Sequence, residues 1–230
     1  MKAADAKKRL LAESIRLIEE RGLEGLSFRE MARRAGLSHQ APYHHFKNRE
    51  GILAAIAQDG FVRLNARLAE AQEHDRRKGA QQFLRDTLRA YMLFALDSPV
   101  HYRIMFRPEL VRLPNFPEAQ TAARSSFQHL IAAVSACRPN VDRADQRLVE
   151  VANSLWAGCH GVADLWIDGP LRYNTPGMSI LSLIDATAEM FSRAGAEALR
   201  ALKKSAKDSR PPRPRHRGPH SARAAENPRR

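Results

Sequence analysis

Cysteine is almost absent from this 230-residue sequence: Cys137 and Cys159 are the two it contains. Two thiols cannot build a disulfide framework or a cysteine-rich zinc site, so a reducing, cytoplasmic setting is the expectation. No apolar run reaches the ~18 residues that a membrane-spanning helix needs, because charge interrupts every long apolar stretch. The N-terminal residues Met1 to Arg9 are charged and lead into an amphipathic segment, not an apolar signal core, so export is not expected. Alternating runs of β-branched residues are lacking too, which argues against a sheet. Wholesale disorder is excluded by a hydrophobic fraction of 43%. These exclusions leave a globular, helical chain.

What is abundant is positive charge, +13 in all, and it is unevenly placed. Residues 1–50 carry 11 Lys/Arg against 7 Asp/Glu, residues 51–202 carry 17 against 16, and residues 203–230 carry 10 against 2. The basic excess therefore sits at the two ends, which suggests a polyanion partner there and another role for the neutral middle.

Apolar residues recur at three- and four-residue spacing throughout. The first helix is expected over 5–21, with Leu11, Ile15 and Ile18 inward and Gly22 as its stop. Ser27-Phe28-Arg29-Glu30 has the form of a capping box opening a second helix, which carries Met31, Ala32 and Ala35 inward and ends at Gly36. Ser38 is placed to cap a third over 39–46. A long fourth follows Asn48 to about residue 73, with Leu53, Ile56, Gly60, Leu64 and Leu68 along one stripe. Prolines then punctuate helices at 80–97, 99–107, 117–137, 143–168 and 178–202. From Lys203 on, Pro, Arg, His and Ser replace large apolar residues, so 203–230 is expected to be a disordered basic tail. Its charge suits non-specific phosphate attraction; a merely solvated tail is the alternative.

A helix, a turn through Gly36 and a second short helix make a helix-turn-helix. The polar face following the turn is rich in hydrogen-bonding groups and has no acid, as a surface facing phosphates and base edges requires. The run from Leu26 to Ser38, continued by Ala41-Pro42-Tyr43-His44-His45-Phe46-Lys47-Asn48-Arg49-Glu50-Gly51-Ile52-Leu53, closely resembles the DNA-binding domain of TetR-family regulators. The resemblance implies an all-α protein: a three-helix DNA-binding domain over 1–50 and a larger effector-binding and dimerisation domain over 51–202. It also implies a homodimer on a palindromic operator in double-stranded DNA, most simply as a repressor relieved by its ligand. By position, Arg29, His39, Gln40 and Ala41 fall where the family touches base edges, and Tyr43, His44, His45 and Arg49 where it touches the backbone. Ser38 and Lys47 adjoin them. Arg29 suits guanine O6 and N7, and Gln40 suits adenine. Pro42 departs from the family, which often has Leu there, so a tight or irregular start to the reading helix is expected. Tyr43 also suits a core position. His44 and His45 point ~100° apart on a helix and do not make a metal pair.

In the second half, Leu148, Val151, Ala152, Leu155, Trp156, Cys159, Val162, Ala163, Trp166 and Ile167 form one stripe, with Ala157, Gly158 and Gly161 allowing close helix approach. Leu183, Ile184, Ala188, Phe191, Gly195, Ala198 and Leu202 repeat the pattern in the last helix. Residues 143–168 and 178–202 are thus the expected dimerisation pair. Trp156-Ala157-Gly158-Cys159-His160-Gly161 resembles the Trp-His-Gly signature of one C-terminal subclass. The family plan implies a ligand cavity between the middle helices, for which Tyr91, Phe94, Tyr102, Met105, Phe106, Phe127, Trp156 and His160 are the candidates; plain core is the commoner role of such side chains. Their apolar character favours a neutral or lipophilic small molecule as effector. No cofactor, metal or membrane partner is expected. Two rivals stand beside this reading: an architectural DNA binder, and a small helical enzyme using Cys159. The second is weakened because Cys159 and His160 are adjacent on a helix and diverge.

Overall fold

The computed structural model describes residues 3–75, 79–139 and 142–208. Among them are ten α-helices, two short 3-10 turns and no strand. They are α1 (Ala3–Arg21), α2 (Phe28–Arg34), α3 (Ala41–Phe46), α4 (Arg49–Asp75), α5 (Ala80–Asp97), α6 (Pro99–Met105), α7 (Pro117–Ala136), α8 (Gln146–Ile167), α9 (Pro170–Asn174) and α10 (Ile180–Asp208). None is long and apolar enough to cross a membrane.

Local chemistry explains most of the boundaries. Proline occupies the first turn of α3, α6, α7 and α9, where its missing N–H costs no hydrogen bond. Asp145 opens α8 by accepting from the Arg147 amide at 2.9 Å, and Asn48 opens α4 by accepting from the Gly51 amide at 2.8 Å. α2 closes on a Schellman turn. The Leu37 amide reaches the Ala32 carbonyl at 2.9 Å and the Gly36 amide reaches that of Arg33 at 3.1 Å, with Gly36 at φ +63°.

Four expectations need correction. The last helix does not give way to a tail at residue 203, since α10 runs on through residue 208; residues 209–230 lie outside those described. α3 starts at Ala41, not at residue 39. The ring of Pro42 fits only a helix's first turn, so His39 and Gln40 remain in the preceding turn, and Ser38 contributes its carbonyl to Ala41 N–H at 3.0 Å instead of a side-chain cap. The box at Ser27 is half formed. Ser27 Oγ accepts from the Glu30 amide at 3.4 Å, but the Glu30 carboxylate turns to Arg33 and Arg34. In α1 the buried stripe is Ala6, Leu10, Leu17 and Ile18, leaving Leu11 and Ile15 only half-buried at its edge.

α4 is the axis of the molecule. Its start packs against α1 and α3, and its length against α5, α6 and α7. The expected stripe is buried throughout: Leu53, Ile56, Gly60, Leu64 and Leu68, joined by Ile52, Ala57 and Phe61. α10 covers α5 and α8, with the Phe191 ring lying where a Gly158 Cβ would stand. The close approach expected at Gly158 is therefore made within the chain, while Gly161 faces open space.

The α3–α4 joint is the tightest backbone feature. Lys47 has φ +63° and ψ −55°, and Asn48 N–H donates to the Phe46 carbonyl at 2.7 Å, a γ-turn in its rare positive-φ form. The same carbonyl lies against Gly51, where any Cβ would strike it. Backbone meets backbone here, so neither side has a rotamer with which to yield. Gly51→Ala is therefore expected to cost about 1–3 kcal/mol in denaturant unfolding. Gly161→Ala, in open space and mid-helix, is expected to be neutral or stabilising by up to ~1 kcal/mol. Equal effects of the two would show that the joint is not strained.

Candidate DNA-reading head and effector cavity

The reading head is built on three contacts. Ser14, fully buried on α1, donates to the Leu10 carbonyl at 2.8 Å and lies 2.7 Å from Met31 Sδ, which seats α2 on α1. Arg9 donates to the Ala35 carbonyl, tying α1 to the end of α2 beside Gly36. Phe28 and Tyr43 stack with centroids 4.8 Å apart, fixing α3 beside the start of α2. Pro42 and Phe46 face inward. Tyr43 is 54% exposed, so its ring packs on Phe28 while the side chain stays open to solvent.

Arg29, Ser38, His39, Gln40, Tyr43, His44 and Lys47 are all exposed, and Ala41 and His45 are half-buried. No acidic residue interrupts the segment from Ser38 to Lys47. The acids that flank it in sequence, Glu30 and Glu50, are both engaged. Glu50 accepts from the Arg112 amide at 3.2 Å, and hydrogen bonds from Arg33 first and Arg34 next hold the Glu30 carboxyl at about 2. Arg49 differs from its basic neighbours, because its guanidinium donates to the Leu23 carbonyl at 2.6 Å and to Glu24 at 3.4 Å. A phosphate contact at Arg49 would have to displace or share those partners.

The middle helices enclose a cavity of about 430 Å³ between α4, α5, α7 and α8, bounded also by Met105, Phe106 and Leu113. Of the candidate residues, Tyr91, Met105, Phe106, Phe127 and Trp156 line it. Phe94, Tyr102 and His160 do not. Phe94 is packed in the core, and Tyr102 and His160 stand behind the wall. There they form a buried polar network. Trp156 Nε1–H donates to the Tyr91 hydroxyl at 3.1 Å, the Tyr91 hydroxyl lies 2.8 Å from His160 Nδ1, and the Tyr102 hydroxyl lies 2.8 Å from the same nitrogen while donating to the His160 carbonyl at 3.1 Å. With the Tyr102 hydroxyl donating to the His160 carbonyl, the short Tyr102–Nδ1 contact is satisfied by a proton carried on Nδ1. Burial pushes both tyrosines upward and His160 downward, which keeps all three neutral.

The remaining wall comes from Phe61, Leu64, Leu68, Thr87, Leu88, Leu113, Ala123, Arg124, Ser126, Leu130, Asn153 and Cys159, which sequence reasoning had not assigned. A usable signal existed. Thr87 and Leu88 precede Tyr91 by four and three residues; Ala123, Arg124 and Leu130 stand four before, three before and three after Phe127; Asn153 and Cys159 flank Trp156 by three. Helix neighbours at these spacings share a face. Burial lifts the Cys159 thiol to about 12, so it is not a thiolate nucleophile.

With this geometry in view, two family models match the chain. "Bacterial regulatory proteins, tetR family" covers residues 10–56, and "Tetracyclin repressor-like, C-terminal domain" covers residues 84–187. The chain belongs to the TetR family. Members of this family are DNA-binding transcriptional regulators that dimerise and bind ligands in the C-terminal domain. Among solved structures, a Rhodococcus sp. RHA1 protein of unknown function is similar at 28% identity and TM-score 0.66, over 82% of this chain and 94% of that one. The TetR family transcriptional regulator PfmR from Thermus thermophilus is similar at 20% identity and TM-score 0.60, over 80% and 97%. The fatty acid degradation regulator FadR from Bacillus halodurans shares the fold at 10% identity and TM-score 0.60, over 80% and 97%. No curated protein matches the sequence.

In this TetR-family chain the neutral state of His160 has a consequence for stability. Its folded pKa lies below that of the unfolded chain, so the unfolded state takes up a proton that the folded state refuses. Stability is then fully present above pH ~6.5 and declines as pH falls from there through the folded value. His160→Gln is expected to flatten this part of the stability–pH curve, read as unfolding midpoint between pH 7 and 5. A slope identical to that of the parent would show that His160 does not resist protonation.

Proposed function

We propose that this chain is a homodimeric transcriptional regulator that reads a palindromic operator with residues 38–47 and Arg29, and releases it when a small apolar molecule fills the cavity. The division of labour follows the sequence: residues 1–50 read and residues 51–202 sense and dimerise. The observation that carries this reading is that one helix serves both parts. α4 contributes Phe61, Leu64 and Leu68 to the cavity wall, and its first turn holds the reading head through Asn48 and Gly51. Two further links join cavity to head. α6 crosses α4 closely at Gly60, where a Cβ would meet Met105 Sδ at 2.5 Å, and Met105 itself lines the cavity. Leu113 also lines the cavity, and the adjacent Arg112 amide is the group that donates to Glu50 Oε1 at the start of α4. A ligand pressing on Met105 or Leu113 thereby biases the angle of α4, and with it the spacing of two reading heads.

Arg29, Gln40 and Tyr43 carry the most direct test. The triple variant Arg29→Ala, Gln40→Ala, Tyr43→Phe is expected to bind a palindromic fragment from upstream of the gene at least about 30-fold more weakly in gel shift, since each lost base contact costs ~1–3 kcal/mol. Undiminished affinity would overturn the assigned head.

Dimerisation through α8 and α10 is favoured by the apolar surface they leave exposed: Leu165 at 47%, Leu181 at 52% and Met190 at 57%. Leu181→Asp with Met190→Asp is expected to give monomers in size-exclusion chromatography with light scattering at micromolar concentration. A persisting dimer would place the interface elsewhere. The narrower subclass resemblance at Trp156 to Gly161 remains part of this proposal.

A further inference from the structure

Arg124 is the single charged residue among those lining the cavity, whose other walls are aliphatic, aromatic or neutral polar. It stands on α7 beside Ala123, Ser126 and Phe127, which line the same wall. Four arginines on α4, α5 and α6 are answered by acids: Arg63 by Asp59 at 2.6 Å, Arg67 by Asp97 at 2.5 Å, Arg89 by Asp185 at 2.6 Å and Arg103 by Asp168 at 2.8 Å. Arg124, among the described residues, has neither an ion-pair nor a hydrogen-bond partner. The neutral polar groups around the cavity are, in contrast, already engaged. Thr87 Oγ1 donates to the Phe83 carbonyl at 2.8 Å, Ser126 Oγ to Asn65 Oδ1 at 2.6 Å, and Asn153 Nδ2 to the Val149 carbonyl at 3.0 Å. The Tyr91 hydroxyl is engaged by Trp156 and His160, and the Cys159 thiol stays protonated. A polar ligand group in the cavity would find, among the neutral groups, only the second Asn153 Nδ2 hydrogen and the weakly donating Cys159 thiol. At Arg124 it finds a free guanidinium, whose fork matches a carboxylate in two parallel hydrogen bonds.

We infer that the effector is an aliphatic monocarboxylate, its chain in the apolar cavity and its carboxylate on Arg124. This rests on the reading of the cavity as the effector site and replaces its expected neutral ligand with an acid. The apolar chain supplies most of the affinity and Arg124 selects the head group.

The test compares decanoate, decanol and decylamine by calorimetry with the full-length protein, and by release of the operator fragment in gel shift. Decanoate is expected to bind about 10-fold more tightly than decanol, because Arg124 is exposed enough for water to weaken a charged hydrogen bond. Decylamine is expected to bind more weakly than decanol. Within the short acids affinity should rise about fourfold per methylene until the cavity is full. Arg124→Gln should bring decanoate and decanol to equal affinity; Arg124→Lys should restore part of the preference for the acid. Two results overturn the assignment and leave the effector cavity standing: decanol equal to decanoate in the parent, or an undiminished acid preference in Arg124→Gln. Absence of binding and release by all three probes, with operator affinity intact, overturns both the acid and the cavity's role.

Discussion

One stiff helix shared by two sites is the constraint on which the structure turns. α4 is 27 residues long, about 40 Å at 1.5 Å per residue, and is buried along one face for most of that length. Each large side chain on this face contributes about 1.5–3 kcal/mol by leaving water, so the helix cannot detach from either half without a large loss. Gly51 and Gly60 are where its neighbours come closest, the Phe46 carbonyl at one and the α6 side chains at the other. Both contacts depend on the absence of a Cβ. A close-packed joint of this kind transmits displacement instead of absorbing it.

The cavity wall shows how the interior manages polarity beside an apolar space. Tyr91 presents its ring to the cavity and its hydroxyl to Trp156 and His160, so its polar end is satisfied from behind. Unpaired, these groups would each cost ~1–3 kcal/mol in such surroundings; paired, they fix the rings that shape the space. The ring of Phe106 packs against Tyr91, Tyr102, Trp156 and His160, with centroids 5.0 to 6.3 Å apart, joining the network to the α6 end of the cavity. Burial holds the Cys159 thiol protonated, and adjacent helical positions diverge by ~100°, so Cys159 and His160 do not form a nucleophile–base pair.

Helix existence was legible because the sequence punctuates heavily. Prolines, Gly36, Asn48 and Asp145 act locally, through a missing donor, a permitted φ or a short side-chain acceptor, and local chemistry can be read from neighbours in the chain. The misreadings have an equally physical cause. Ser38 and Glu30 each had two possible hydrogen-bond roles, and the competing partner decided: the turn carbonyl geometry before Pro42 in one case, Arg33 and Arg34 in the other. Phe94, Tyr102 and His160 were placed in the cavity because periodicity gives the inward face of a helix. It does not give depth: Phe94 is packed in the core, and Tyr102 and His160 stand behind the wall. Arg124 was overlooked for the converse reason: a charged residue on a helix usually faces water, and nothing in its sequence neighbourhood shows that its acidic partner is missing.

The amino-acid order alone determined the all-helical class, the helix-turn-helix with its acid-free face, and the continuity of α4, because each depends on contacts within a few residues or on composition. Tertiary structure decided what those helices enclose. Which aromatic rings line the cavity, which retreat into a hydrogen-bonded layer behind it, and which arginine stands unpaired on its wall all depend on groups as far apart in the chain as Tyr91 and His160, 69 residues. Pairings over such separations are set by packing, and no local pattern encodes them.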